Sequence, residues 1–493
     1  MIAMTLAQIA DIVGGELADI SAADAAATRV TGTVEFDSRA VTDGGLFIAL
    51  PGARSDGHDF AATAVAAGAV AVLAARPVGV PAIVVTPRTD AATDAGASVL
   101  EYDTDGSGAA VLAALARLAA AVAAELVAGG LTIVGITGSS GKTSTKDLVA
   151  AVLAPLGEVV APPGSFNNEL GTPWTMLRAG EDTDYLVLEM SARHPGNIAA
   201  LASIAPPSIG VVLNVGTAHL GEFGSREAIA RTKAELPQAV PSSGVVILNA
   251  DDDAVAGMAE QTAARVVRVS RSPGADVWAG PVALDEVARP HFTMHAGGVE
   301  TDISLAVHGE HQVSNALCAA AVALECGASG AQVATALAGA GPVSQHRMNV
   351  STREDGVTVI DDAYNANPDS MLAGLKSLAW MARQGTEPRR SWAVLGEMAE
   401  LGDDAISEHD RVGRLAVRLD VSRLIVVGTG RSMSAMHHGA VMEGSWGGEA
   451  TMVDDADAAL ELLRAELREG DVVLVKASNA AGLGKLAEAL VAS

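Results

Sequence analysis

The run from Leu131 to Asp147, LTIVGITGSSGKTSTKD, joins the residue types that bind polyphosphate. An apolar, β-branched stretch ends at Thr137 and small residues follow. Lys142, Thr143 and Ser144 then open a segment, Lys146 to Leu153, with helical apolar spacing. The pattern predicts strand, glycine loop, helix. Gly138 and Gly141 let the backbone curl so that the N–H groups around Ser139 and Ser140 point inward, and the helix start adds partial positive charge; together they cradle a polyphosphate. Lys142 can reach the outer phosphates and Thr143 can ligate Mg²⁺. Where a longer phosphate loop has its first glycine this chain has Ile136, so the loop is the shorter TGSSGKT form.

Other candidates follow further apolar runs. Ligands of open α/β sheets gather at the carboxyl ends of parallel strands. The run from Asp184 ends in Glu189, and the run Ile209 to Val215 is followed by Gly216-Thr217-Ala218-His219. Glu189, His219 and Lys142 are therefore expected to converge. A carboxylate and an imidazole beside a triphosphate suggest metal ligation, and Glu189 suits Mg²⁺ better because Mg²⁺ prefers hard oxygen. Taken alone, His219 reads more readily as a core or surface histidine. Lys233 lies in a predicted helix, Arg226 to Leu236, where a solvated charge is the default reading. Ser38 and Arg39 could hold a diphosphate, since Arg makes fork-shaped bonds to phosphate oxygens, or they form a surface turn. The loop Pro162 to Pro173 offers Asn167, Asn168 and Thr172 to a polar ligand, or is an Asn-rich turn.

The elements that must position these groups fall into three units, as the length of 493 residues suggests. Residues 1–105 hold short β-like runs (Val30 to Phe36, Leu46 to Leu50, Ala69 to Leu73, Ala82 to Val85) punctuated by glycine and proline, a small α/β unit. A Gly-rich linker at 104–108 leads to a central unit, 106–341, built around the phosphate loop. GAGP at 339–342 opens the third unit, 342–493, whose runs Val357 to Ile360, Trp392 to Leu395, Leu424 to Val427 and Val472 to Val475 alternate with helices, as in a doubly wound sheet. No repeat of 20 to 50 residues is present.

Composition narrows the function classes. The chain has 32 Lys and Arg against 59 Asp and Glu, a net charge of −27, and no basic cluster interrupts the acidity, which disfavours a nucleic-acid track. Cys318 and Cys326 fall on one predicted helix about 12 Å apart, too far to pair, as expected of a reduced cytosolic protein. The N-terminus lacks a basic region before an apolar core, so no signal peptide is read. Ala109 to Val127 is apolar but alanine-rich and carries Arg117 and Glu125; a soluble connecting helix is expected, not a membrane insertion.

The ordered set DSR, TGSSGKTST, SFNNELGTP, LEMSARHPG, LNVGTAHL, RTKAEL, HQVSNA, HRM, DDAYNANPDSM, LGEMAELG and VKAS resembles the Mur ligase family across nearly the whole chain. Within the family it is most similar to the member that adds a dipeptide. The diamino-acid-adding sibling carries D-Y-A-H-x-P where this chain reads DDAYNANP, and its D-N-P-R signature is absent here. The resemblance implies three α/β domains: a small N-terminal one, a central P-loop ATPase-type domain with a mostly parallel sheet, and a C-terminal Rossmann-like doubly wound domain that closes over the others. It implies that ATP phosphorylates the free carboxylate of UDP-N-acetylmuramoyl-tripeptide, that the amine of D-alanyl-D-alanine attacks the acyl phosphate, and that phosphate leaves.

Roles are implied residue by residue. Gly138 through Ser144 hold ATP, with Lys142 on the transferring phosphoryl group. Thr143 and Glu189 hold one Mg²⁺, and His219 helps hold a second. Lys233 acts as a carbamate that ligates metal. HGEHQVSN departs from the family's P-G-x-H-N-x-x-N, so adenine contact carries over only to Asn315. Arg347 and Asp362 contact the nucleotide from the third domain, Ser38 and Arg39 meet the UDP moiety, and Asn167, Asn168 and Thr172 face the substrate. Tyr364, Asn365, Asn367 and Lys476 face the incoming dipeptide. The enzyme so implied is a cytoplasmic monomer of peptidoglycan precursor synthesis. The rivals are another amide ligase of the family, such as a folylpolyglutamate synthetase or the diamino-acid-adding sibling, and a P-loop switch or motor that hydrolyses ATP without an acceptor.

Overall fold

The computed structural model describes residues 1–87, 100–216, 220–385, 387–445 and 447–492. Three large sheets follow one another along the chain, with a separate two-stranded sheet at its start. The first has five strands in the order Glu16–Ala18, Ala82–Val84, Ala69–Ala74, Gly45–Ile48, Val34–Glu35; all neighbours are parallel except the antiparallel edge pair formed by Glu16–Ala18. The run expected to be one strand from Val30 to Phe36 is two: Arg29–Val30 pairs with Met4–Thr5, and Val34–Glu35 joins the larger sheet. Gly32 lies between them, packed so close to Asp43 that a Cβ would come within 2.4 Å of its carbonyl oxygen. The chain bends there because only glycine fits.

The central sheet has ten strands. Its parallel part runs Val159–Val160, Tyr185–Glu189, Thr132–Thr137, Ile209–Val212, Val245–Asn249, Arg265–Ser270, Val277–Ala279. Beyond it, Pro290–Ala296 pairs antiparallel with Val277–Ala279, Ala283–Leu284 and Val299–Ser304. This extension is legible in PHFTMHA and VETDIS only as weak alternation, and none of the strand runs read from the sequence includes it. Successive residues of the parallel strands point to opposite faces. Ile133, Leu186, Leu188, Val212 and Leu248 face one apolar cluster, while Val134, Ile136, Val187, Val211 and Ile247 face the other. The phosphate-loop helix Lys142–Leu153 and the helix Gln312–Glu325 cover the second face.

The first face is covered by Ser107–Ala128. This helix has the length and apolar composition of a membrane span, yet its buried residues, Leu115, Leu118 and Val122 among them, belong to one cluster with Leu46, Ile48 and Ile83 of the first sheet and Ile133 and Leu186 of the central sheet. Arg117 donates to the main-chain oxygen of Val13 (2.5 Å), closing the C-terminal end of the first helix. Because the helix starts at Ser107, the linker expected at 104–108 is shorter than the composition suggests. The helix expected from Arg226 to Leu236 divides into Arg226–Lys233 and Glu235–Ala239.

The third sheet runs Asn349–Thr352, Thr358–Asp362, Val472–Lys476, Ser391–Leu395, Arg423–Val427, Ala450–Val453, parallel except for its first edge strand. Ile360, Leu395 and Leu474 face the helices Pro368–Ala382, Ala405–Arg418 and Arg431–Glu443, while Val359, Val394 and Val473 face Ala456–Glu466 and Gly484–Val491. The expected doubly wound arrangement is found. Cys318 and Cys326 are both free thiols.

A polar knot fastens the loop that follows Gly45–Ile48. The Asp56 carboxylate accepts from His58 N (3.0 Å), bonds His58 Nδ1 (2.6 Å) and accepts from Arg76 (2.9 Å). His58 Nε2 accepts from Ala75 N (3.0 Å), so the ring proton sits on Nδ1, facing Asp56. Partial burial opposes ionisation of Asp56, but the bonds from His58 and Arg76 win and hold its pKa at about 2. A depressed carboxylate stabilises the fold above its unfolded pKa, near 4, and loses that contribution as pH falls towards 2. Asp56→Asn should therefore lower unfolding stability by about 1–2 kcal/mol at pH 7. Chemical denaturation at pH 7 and pH 3 checks this: the gap between parent and variant should shrink at pH 3, and an undiminished gap would refute it.

Candidate functional site

Strand register sets the site. Glu189 lies opposite Ile136 and Val212 opposite Thr137, so three neighbouring parallel strands end at one level. From that level the phosphate loop rises. Gly141, at φ +82°, caps the helix Lys142–Leu153 without a side-chain bond, and a Cβ there would come within 2.7 Å of Asn315 Oδ1. A Cβ on Gly138 would come within 2.9 Å of Leu213 Cβ. Both glycines are needed, one for its dihedral angle and both for space. The open N-terminus of the helix leaves main-chain N–H groups for an anion.

The loop and its surroundings line a cavity of about 480 Å³ between the central and third sheets. Ser139, Ser140, Gly141, Lys142, Thr143 and Ser144 form one wall. Lys142 Nζ donates to Gly138 O (2.7 Å); burial depresses its pKa, with the Glu189 carboxylate acting in the opposite direction. Asn167 and Asn168 line the cavity as well. Asn167 donates to Glu189 Oε2 (3.2 Å) and Ser165 Oγ (2.8 Å), whereas Asn168 Oδ1 is engaged by Leu170 N and Gly171 N. Thr172 lies behind the loop, fully buried, outside the cavity wall.

Glu189 is fully buried and its Oε1 has no hydrogen-bond partner among the described residues. An orphaned carboxylate oxygen is costly unless a cation or donor meets it. Lys233 is 6% exposed, and burial together with the charge of Lys142 holds its pKa well below the usual lysine value. The expectation of a solvated helix lysine therefore fails: Ile229, Thr232 and Lys233 form the buried side of its helix. His219 lies outside the described residues.

The third sheet supplies the opposite wall. Arg347 donates to Thr143 Oγ1 (3.3 Å) and its guanidinium lies over the Tyr364 ring at 4.4 Å. Lys476, 1% exposed, donates to Asp362 Oδ2 (2.5 Å) and Asn365 O (2.9 Å). Burial lowers its pKa and Asp362 opposes that. Lys476 and Asp362 thus neutralise each other at the ends of adjacent strands. The Asn367 side chain caps the helix Pro368–Ala382 by accepting from Ser370 N (2.9 Å), while Tyr364 and the exposed Asn365 face the cavity. The Asn315 amide donates to Gln312 Oε1 (2.8 Å).

Ser38 and Arg39 stand apart from this cavity. Arg39 is exposed, and Asp37 accepts from its main-chain N (3.0 Å), Nε (2.9 Å) and Nη2 (2.7 Å), which holds the Asp37 carboxyl at about 2. The turn is connected to the central unit nonetheless. Phe36, just before it, packs against Trp174 (5.5 Å between ring centres) and Phe166 (6.3 Å), and Trp174 Nε1 donates to Val34 O (2.9 Å). Phe166 in turn precedes Asn167, so an aromatic bridge runs from Asp37-Ser38-Arg39 to the cavity rim.

Several site residues escape sequence reading. Asn214 binds the phosphate loop; its place in LNVGTAHL, just past a strand end, is the signal that could have found it. Arg193, on the central side, pairs with Glu400 of the third unit (2.9 Å), and Ser344 Oγ donates to Asp147 (2.8 Å) on the loop helix. These contacts join segments about two hundred residues apart, which no local pattern encodes. Burial pushes the imidazole of His311, also at the cavity, down to about 4.

Comparison with known proteins agrees with this layout. Residues 32–122 match the Mur ligase family catalytic domain, 136–323 the Mur ligase middle domain, and 346–479 the Mur ligase glutamate ligase domain. The UDP-N-acetylmuramoyl-tripeptide--D-alanyl-D-alanine ligase of Mycobacterium tuberculosis strain H37Rv is 76% identical, covering 100% of this chain and 98% of the relative. The ligase of the same name from Escherichia coli K12 is 33% identical over 99% of each chain. A crystal structure of MurF from Acinetobacter baumannii superposes with a TM-score of 0.82 at 28% identity, covering 100% of this chain and 99% of that one. MurF ligase from Thermotoga maritima, in complex with ADP, superposes with a TM-score of 0.74 at 27% identity over 93% and 97%. A sheet with an interior strand that ends in a phosphate loop, faced by a doubly wound unit and matched along its whole length, leaves one assignment: the chain belongs to the Mur ligase family.

Proposed function

We propose that the protein is an ATP-dependent amide ligase that joins D-alanyl-D-alanine to UDP-N-acetylmuramoyl-tripeptide. The observation that carries this is the cavity between the central and third sheets, with a phosphate loop on one wall and a strand-end cluster of Arg347, Asp362 and Tyr364 on the other. Its occurrence on a chain collinear with ligases of that specificity supports the choice of substrates. In this reading residues 1–105 receive the UDP moiety through Ser38 and Arg39, residues 106–341 bind ATP, and residues 342–493 contribute nucleotide contacts and the dipeptide site.

The loop amides from Gly141 onward and Lys142 bind the phosphates, while Asn315, at the start of its helix, meets the adenine. The free carboxylate of the tripeptide attacks the γ-phosphorus and ADP departs, leaving an acyl phosphate. The dipeptide amine then attacks the acyl carbon and the tetrahedral species expels inorganic phosphate. Lys142 exchanges its bond with Gly138 O for the phosphoryl oxygens and stabilises the charge that builds on them. Tyr364 and Asn365 face the dipeptide, with Asn367 and Lys476 fixing the loop that carries them. Asn167, held by Glu189, and Asn168 and Thr172 shape the side that receives the tripeptide.

The donor set fits magnesium. Glu189 presents a buried, unpartnered carboxylate oxygen and Thr143 a hydroxyl at the helix start, both hard ligands. Such an ion would take its remaining ligands from phosphate and water. When bound, the ion supplies positive charge to the phosphate oxygens. His219 and Lys233 are the proposed ligands of a second ion. The neutral Lys233 amine, favoured by burial and by the neighbouring Lys142 charge, is the form that takes up CO₂ as a carbamate. ATP with a UDP-linked precursor points to the cytoplasm.

Phosphate release tests the assignment. It should require ATP, UDP-N-acetylmuramoyl-tripeptide and D-alanyl-D-alanine together; steady release without the dipeptide, or equal efficiency with single D-alanine, would overturn it. Lys142→Ala should reduce kcat by roughly a thousandfold, because the loop then loses its own cation on the transferring group. Activity within tenfold of the parent would contradict the loop's role. Lys233→Ala should lose at least about a hundredfold and regain part of it with added acetate or formate, small carboxylates that replace the carbamate oxygens. A fully active variant would refute the carbamate.

A further inference from the structure

The phosphate loop is short, and Ile136, where a longer loop has a glycine, is still inside the strand, opposite Glu189 and Val211. A loop that spans so few residues has little of its own chain with which to fix the direction of its first amides. That direction comes from Asn214. Its Oδ1 accepts from Ser139 N (3.0 Å) and Ser140 N (2.9 Å) and lies 3.4 Å from Ser140 Oγ, while its Nδ2 donates to Ser140 O (3.1 Å). Its main-chain oxygen also accepts from Ser139 N (3.1 Å). The side chain thus grips the loop from both sides, as acceptor and as donor.

The clamp is itself braced. Asn249 Nδ2 donates to Leu213 O (2.9 Å), the Asp252 carboxylate accepts from Val215 N (2.8 Å), and Arg226 Nε donates to Val215 O (2.9 Å). Ser139 Oγ closes the circuit by accepting from Gly216 N (3.0 Å). Neighbours on three other elements therefore fix the backbone on which Asn214 stands. Only a carboxamide can satisfy two N–H groups and one carbonyl at once from this place; a carboxylate lacks the donor and brings a negative charge beside the phosphate site.

We propose that Asn214 is a positioning residue for phosphoryl transfer: by occupying the amides of Ser139 and Ser140 it turns those from Gly141 onward, and Lys142, towards the polyphosphate. The inference rests on the reading that the loop binds ATP. Its effect should be confined to the phosphates, since the adenine and the dipeptide are bound elsewhere.

The test compares competitive inhibition by ADP and by adenosine against ATP, with KM for ATP and for D-alanyl-D-alanine, in the full-length enzyme and its Asn214→Ala and Asn214→Asp variants. Loss of the clamp's hydrogen bonds should weaken ADP binding about tenfold in Asn214→Ala, and more in the near-isosteric Asn214→Asp, where charge repulsion adds. Adenosine inhibition and the KM for the dipeptide should stay within twofold. ADP binding within twofold of the parent in both variants, or equal losses for ADP and adenosine, would overturn the proposal. If Asn214→Ala does not fold, Asn214→Asp decides alone. Should the parent itself bind ADP no better than adenosine, and Lys142→Ala match it, the ATP reading falls and the Asn214 role with it.

Discussion

Everything at the site depends on main-chain hydrogen bonding between three parallel strands. The register that sets Glu189 against Ile136 and Val212 against Thr137 brings a buried carboxylate, the phosphate loop and the Asn214 segment to one height. Strand side chains alternate with a period of two, so a slip of one residue would exchange the two apolar faces of the central sheet and turn Glu189 away. Burial of Val134, Ile136, Val187 and Val211 on one side and Ile133, Leu186, Leu188 and Val212 on the other forbids that slip. Apolar packing thus sets the position of polar chemistry at the strand ends.

Electrostatically the site is a set of charges arranged to be incomplete. Burial lowers the pKa of both Lys142 and Lys233, the charge of Lys142 lowers that of Lys233 further, and among the described residues Glu189 Oε1 has no partner. On the facing wall, by contrast, Lys476 and Asp362 satisfy each other in a bond of 2.5 Å. The unsatisfied wall is suited to a polyanion and its cation; the satisfied wall is suited to holding a rigid surface against them.

Sequence reading recovers what is local. TGSSGKT between a β-branched run and a helical one gives the loop, and the third unit's four main strands fall within a residue or two of their predicted bounds, because buried parallel strands read as continuous apolar runs. The antiparallel extension after Trp278 is missed because its strands are half exposed and carry polar residues, so no apolar run marks them. Lys233 reads as a solvated lysine because a short polar helix gives no hint of which side is buried. Arg193 with Glu400, and Phe36 with Trp174, pair across large separations in sequence and become legible only once three units are in place.

The helix Ser107–Ala128 has a bearing on how the chain is made. Its buried face belongs to a single apolar cluster shared by the first and central sheets, so the first sheet is not closed when ribosomal synthesis passes Val84. It must wait for this helix, and the helix in turn for strands as late as Val245–Asn249, which contribute Val246 and Leu248 to the same cluster. The two clusters of the third sheet instead draw on residues 348–490, with Ala288 and Leu284 of the central unit packed into one of them. The chain therefore has two blocks of unequal size to fold during translation, a large N-terminal one that gains cooperativity late and a smaller C-terminal one that takes little of its core from the first.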